Sequence, residues 1–223
     1  MVKRDGLRTT IGKVLNKLDS YKSLGYSVSG VVVESDVEEF AHGDKVAAAG
    51  AGYAVHAEFV AVPKNLVVRI PEGVSFEDAA YTTLGAIAMQ GFRQAEPVLG
   101  ETVAVVGLGL LGQLTVQLLK SAGCRVVGMD INPDTFDYAK KFGCDLLLNA
   151  KNSPEIVNTV NSFTNGNGVD SVIITASTSS NEPTELALNI CRKRGKIVVV
   201  GAVGMNIPRS LFYTKEIDYR ISC

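Results

Sequence analysis

The chain has 223 residues, enough for one or two domains, and its 46% hydrophobic and 20% charged residues are the balance of a globular protein. A net charge of −1 gives no general attraction to nucleic acid or to an anionic membrane, and no apolar run is long enough to span a bilayer. The four cysteines (Cys124, Cys144, Cys191 and Cys223) form no Cys-x-x-Cys, and the start lacks the apolar core of a signal peptide; both point to reduced thiols in a cytoplasmic protein.

Ile11, Val14, Leu15 and Leu18 recur at helical spacing with Lys13 and Lys17 between them, which predicts a short amphipathic helix near 9–19. From Tyr26 to Val68 the character is β. Short runs at 28–34, 45–49, 54–63 and 66–69 are punctuated by Gly, Asp and Pro, as in a barrel of short strands. Pro71-Glu72-Gly73 is a turn, Ser75 with Asp78 opens a helix, and residues 76–95 read as a helical linker closed by Pro97 and Gly100. The first domain is therefore expected to be 1–96 and the second 97–223.

From Glu101 strand and helix alternate. Strands are predicted near 102–106, 125–129, 145–148, 171–175, 196–200 and 217–222. Helices are predicted near 110–122, 133–142, 154–163 and 182–193, with Pro133, Pro154 and Pro183 at first helical positions and Asn132 as a cap. Runs such as Ile197-Val198-Val199-Val200 suit strands buried on both faces of a parallel sheet. The fold class is α/β, with a doubly wound, six-stranded parallel sheet of Rossmann type.

Gly107-Leu108-Gly109-Leu110-Leu111-Gly112 lies between the first of these strands and its helix. Gly107 permits a tight turn, Gly109 lets a pyrophosphate approach the backbone, and Gly112 lets the helix pack closely. The helix N-terminus then faces the phosphates. Asp130 ends the next strand about 20 residues on, which completes a dinucleotide-binding fingerprint. A carboxylate there accepts from the adenosine ribose hydroxyls and repels a 2′-phosphate, and Ile131 beside it offers no guanidinium to hold one, so the expected cofactor is NAD. Ala176 and Ser177, with Gly201 and Ala202, follow the fourth and fifth strands and complete the expected cofactor-binding set.

With both halves placed, the chain resembles the medium-chain dehydrogenase/reductase superfamily, the zinc-type alcohol dehydrogenase relatives. Gly43-Asp44-Lys45-Val46, His56-Ala57-Glu58-Phe59-Val60, and the glycine turn with Asp130 carry the likeness, which runs from about Leu24 to Cys223. Residues 47–53 and 84–94 look most similar to the dehydrogenase half of bacterial bi-domain oxidoreductases. The resemblance implies that the β-rich half is part of a GroES-like barrel and that the chain is an internal fragment of a longer protein. It also implies where zinc would sit. Gly25-Tyr26-Ser27 stands where zinc-dependent members carry Gly-His-Glu, no Cys occurs near Thr83 or Leu84, and residues 47–55 hold none of the four Cys of a structural zinc lobe. A catalytic zinc takes about three protein ligands, so no metal is expected. His42 in a turn and His56 on a strand read as solvated or packed residues.

Without metal, a side chain must manage the proton that accompanies hydride transfer. The resemblance places Tyr26, Thr82 and Thr83 toward that chemistry, with Tyr53 and Tyr81 as further candidates; each also fits a structural role. The expected activity is hydride transfer between NAD(H) and an alcohol, sugar or carbonyl substrate. The alternatives are a nucleotide-binding module with no activity of its own and a quinone or enone reductase. Finally, 216–222 alternates apolar and polar residues as an edge strand does, and both that edge and the resemblance imply a homodimer through the last strand. Asp218 and Arg220 could instead act as charges that discourage pairing.

Overall fold

The computed structural model describes residues 23–151 and 153–222. The helix predicted near 9–19, and Cys223, lie outside the described residues. The chain divides into two compact units, Met1–Thr83 and Leu84–Cys223.

In the first unit, β1 (Ser27–Val31), β2 (Lys45–Ala49) and β3 (Val67–Arg69) form an antiparallel sheet in that order. The buried Ala47 and Ala48 lie at its centre. The Gly43-Asp44-Lys45-Val46 motif is the turn into β2. Gly43 has φ +93°, and the Asp44 carboxylate accepts from Ala41 N–H and from the Arg69 guanidinium, both at 2.9 Å. Those donors, the backbone bond first, hold Asp44 below the usual carboxylate range.

Two expectations fail in this unit. Residues 54–63 form no strand, because among the described residues no strand runs alongside to pair their backbone. The segment is tied instead by Ala54 N–H to the Gly50 carbonyl and by His56 N–H to the Leu24 carbonyl, and Phe59 is left 74% exposed. The helical linker is also broken, into α1 (Phe76–Ala79) and α2 (Thr82–Ala95). Ser75 caps α1 by accepting from Asp78 N–H at 3.0 Å. At the break, two hydroxyls capture carbonyls that a continuous helix would use: Ser27 donates to Ala80 O at 2.6 Å and Thr82 to Ala79 O at 2.7 Å.

The second unit is a six-stranded parallel sheet. In chain order its strands are β4 (Thr102–Val106), β5 (Arg125–Asp130), β6 (Leu146–Asn149), β7 (Val169–Ile174), β8 (Cys191–Val199) and β9 (Asp218–Ile221). The spatial order is β6-β5-β4-β7-β8-β9. Every β4 residue is buried, and alternation divides the strand between two cores. Val103 and Val105 pack with Val116 and Leu119 of α3 (Leu110–Ser121), Ala139 of α4 (Phe136–Lys141) and Ala95 of α2. Ala104 and Val106 pack with Ile156 and Val160 of α5 (Ser153–Phe163) and with Leu186, Leu188 and Ile190 of α6 (Glu182–Ile190). Both faces are covered, as a doubly wound fold requires.

Helix α6 ends at Ile190 rather than continuing to 193. Cys191 turns to extended backbone and pairs with Val169, and the ladder resumes only at Ser171 with Lys196, so residues 192–195 bulge out with Arg194 at φ +58°. The freed helix end is satisfied from outside: Lys215 Nζ donates to the carbonyls of Leu188, Asn189 and Cys191, each at 2.8 Å. Lys215 belongs to α7 (Arg209–Lys215), a helix not expected from the sequence. Its Leu211 and Phe212 pack on the α6 side of the sheet, and Glu216 closes it at φ +51°.

Candidate functional site

The sheet reverses its winding between β4 and β7, and ligands of open α/β sheets bind outside the carboxyl ends of the strands at such a point. The glycine turn lies there, and its glycines meet three different surroundings. A Cβ on Gly107, which has φ +100°, would stand 2.6 Å from Ala176 N, in the backbone following β7. One on Gly112 would stand 2.0 Å from the Gly107 carbonyl oxygen, so α3 packs against the turn itself. One on Gly109 would meet nothing within 4 Å. Gly109 thus opens onto the space into which the first N–H groups of α3 point, the place for an anionic group.

Asp130 is fixed beside this turn. Its Oδ2 accepts from Leu108 N–H at 2.6 Å and its Oδ1 from Asn132 N–H at 2.8 Å. Each carboxylate oxygen retains a second acceptor site, so the group can still receive ribose hydroxyls. Ile131 follows it, 62% exposed. Leu108 itself is buried, and Leu110 and Leu111 begin α3. Asn132 caps the next segment by accepting from Asp134 N–H at 3.1 Å; residues 133–135 form a single 3-10 turn before α4.

The structure brings Ala176 and Gly201 to the same place. Ala176 N–H donates to Val106 O at 3.0 Å, and a Cβ on Gly201 would lie 2.0 Å from Ala176 O. The Ala176 backbone is therefore wedged between the turns after β4 and β8, where only glycines leave room. Ser177 and Ala202 line an open cavity with Thr178, Ser179, Val203 and Gly204.

Three residues that the sequence reading did not single out complete this arrangement. Gln113 donates both amide hydrogens, to Leu108 O and to Thr135 O, each at 2.9 Å, so it ties the glycine turn to the segment after Asp130. Thr175 donates to Gly107 O at 2.5 Å across from β7. Asn181 joins the loops after β7 and β8. Gln113 is the one with a visible cue, a polar residue directly after the last glycine of the motif; the other two bonds depend on partners far along the chain.

Tyr26, Thr82 and Thr83 all belong to the first unit. Tyr26 precedes β1 and is 42% exposed; among the described residues its hydroxyl makes no hydrogen bond. Ser27, next to it, reaches the carbonyl of Ala80, which brings the start of β1 to the turn before α2. Thr82 opens α2 with its hydroxyl proton committed to Ala79, and Thr83 is half-buried. Tyr53 and Tyr81 are exposed. His56, expected on a strand, sits in the irregular segment, with its ring against Gly25 so closely that a Cβ there would lie 2.3 Å from Cδ2. Gly25, at φ +85°, makes room for that ring. His42 lies exposed in a turn. Among the described residues no three His, Cys, Asp or Glu side chains gather to hold a metal ion. A hydroxyl-bearing set of Tyr26, Thr82 and Thr83 does not have the nitrogen, sulfur and carboxylate donors a zinc site uses.

The model of the zinc-binding dehydrogenase family matches residues 111–222. The chain is 34% identical over 173 residues to an alcohol dehydrogenase of Geobacillus stearothermophilus, covering 74% of this chain and 48% of that one. It is 35% identical over 159 residues to a D-guloside 3-dehydrogenase of Shigella flexneri, covering 69% and 44%. The chain thus spans about half the length of these curated relatives. A mycobacterial protein solved in complex with NADPH shares the fold, with a TM-score of 0.79 and 22% identity over 92% of this chain and 65% of that one.

Proposed function

The chain belongs to the zinc-binding dehydrogenase family, within the medium-chain dehydrogenase/reductase superfamily, and from that premise we propose that it serves an NAD(H)-dependent oxidoreductase that acts without zinc on an alcohol, sugar or carbonyl group. The observation that carries this reading is the pairing of an open Gly109 with an Asp130 carboxylate pinned to the same turn by Leu108 N–H at 2.6 Å. Gly109 and the N-terminus of α3 would receive the pyrophosphate. Asp130 would receive the adenosine ribose and, held at a fixed point, oppose a 2′-phosphate. Bound nicotinamide supplies the hydride chemistry. The chain supplies position and a place for the proton. Tyr26, whose hydroxyl makes no hydrogen bond among the described residues, is the better candidate for that exchange, whereas Thr82 has its proton committed to Ala79.

The antiparallel sheet of the first unit would be the retained part of a GroES-like barrel. Cys124, Cys144 and Cys191 are free thiols, and burial pushes Cys144 up to about 11 and Cys191 up to about 12; unreactive free thiols suit a cytoplasmic setting. No helix among the described residues is long and apolar enough to cross a membrane. The expected assembly is a homodimer through β9.

Turnover decides the activity. A panel of alcohols, polyols and their carbonyl products, offered with NAD(H) to the longest natural form of the protein, should give cofactor oxidation or reduction in a preparation with far less than one zinc per chain by elemental analysis. Turnover abolished by chelation and restored by zinc would overturn the metal-free reading.

A further inference from the structure

The adenosine half of a dinucleotide held by Asp130 lies on the β5 side of the sheet's reversal point, so the other half extends over β7 and β8. The surface it meets there is the cavity lined by Ser177, Thr178, Ser179, Ala202, Val203 and Gly204. Those residues come from two loops, and the loops are laced together. Thr178 N–H donates to Ala202 O at 2.8 Å, Gly204 N–H to Ser180 O at 2.9 Å, and Thr184 Oγ1 to Gly204 O at 2.5 Å.

Asn181 closes the lacing. Its Oδ1 accepts from Asn206 N–H and its Nδ2 donates to Asn206 O, both at 2.8 Å, so one side-chain amide pairs with one residue's backbone as a neighbouring strand would. The second Nδ2 hydrogen goes to Glu185 Oε1 at 2.8 Å, on the first turns of α6. Three of the four hydrogen-bonding positions of the amide are thereby used. Among the described residues Asn206 has no other polar partner.

We propose that Asn181 is a positioning residue for the half of the dinucleotide distal to Asp130: by holding Asn206 it keeps the loop after β8 against the loop after β7 and so shapes the wall that this half rests on. The proposal rests on the dinucleotide reading above, and its test separates the two. The unmodified 223-residue chain and its Asn181→Ala variant are titrated calorimetrically with NADH, which occupies both halves, and with ADP, which reaches only the Asp130 half. The variant should bind NADH about tenfold more weakly, because it loses both bonds that hold Asn206. Its ADP affinity should stay within about twofold. Equal weakening for both ligands, or none for either, overturns the proposal. An unmodified chain that binds neither ligand overturns the dinucleotide reading and this proposal with it. If Asn181→Ala does not fold, the same comparison is decided by Asn181→Asp, which keeps the acceptor for Asn206 N–H but cannot donate to Asn206 O.

Discussion

A methyl group added at Gly109 enters open space, whereas one added at Gly201 drives into the carbonyl oxygen of Ala176 at 2.0 Å. The two positions therefore separate binding from stability. Gly109 has φ −68°, which any residue adopts, so Gly109→Val should cost about 1 kcal/mol or less, the loss of a tolerated cap residue. It should nevertheless abolish dinucleotide binding, because the branched side chain fills the place of the pyrophosphate. Gly201→Ala should cost about 1–3 kcal/mol through overpacking against backbone. Urea unfolding and NAD titration of both variants check this; a folded Gly109→Val protein with normal NAD affinity would remove the turn from the site. Gly107, Gly109, Gly112 and Asp130 were legible in the sequence because their spacing is local and each has its own physical reason. Thr175 and Asn181 were not, because Gly107 lies 68 positions from Thr175 and Asn206 lies 25 from Asn181.

At the level of elements, alternation and buried apolar runs identified all six strands of the second unit, since β strands covered on both faces must be continuously apolar. The errors have specific causes. Helix α7 has only seven residues and a β-leaning Phe212-Tyr213-Thr214 centre, and it ends on Glu216 rather than on glycine. The early end of α6 is made possible by Lys215, a cap that arrives from that unforeseen helix. The β-rich run 54–63 has the composition of a strand but no partner strand among the described residues. The expected edge strand is present: among the described residues β9 pairs with β8 on one side only. The charges that could deter a second copy are already engaged. Arg220 meets Asp218 at 2.7 Å and Glu96 at 3.0 Å, and Lys196 meets Glu96 at 2.6 Å. The Lys196 and Arg220 partners pull Glu96 down to about 2. Satisfied ion pairs oppose strand addition less than free charges do, so a two-fold dimer through β9 remains the expected assembly. Proline at Tyr219 or Ile221 removes a ladder donor, and at least one of the two should shift the protein toward monomer in light scattering. A monomeric unmodified protein, or dimers indifferent to both prolines, would rule that interface out.

For the molecule as a whole, the doubly wound sheet puts the reversal point, the glycine turn and Asp130 together at the carboxyl ends of the central strands of the second unit, and everything proposed for function depends on what binds there. The central claim is that this site selects NAD. Calorimetric titration of the unmodified chain with NAD and NADP tests it most directly, with Asp130→Ala as the companion. NAD should bind at least about tenfold more tightly than NADP, a difference of about 1.4 kcal/mol. Asp130→Ala should weaken NAD, since the ribose acceptor and the bond to Leu108 N–H are both lost, and should narrow the gap to NADP. Equal or tighter binding of NADP by the unmodified chain would contradict the account.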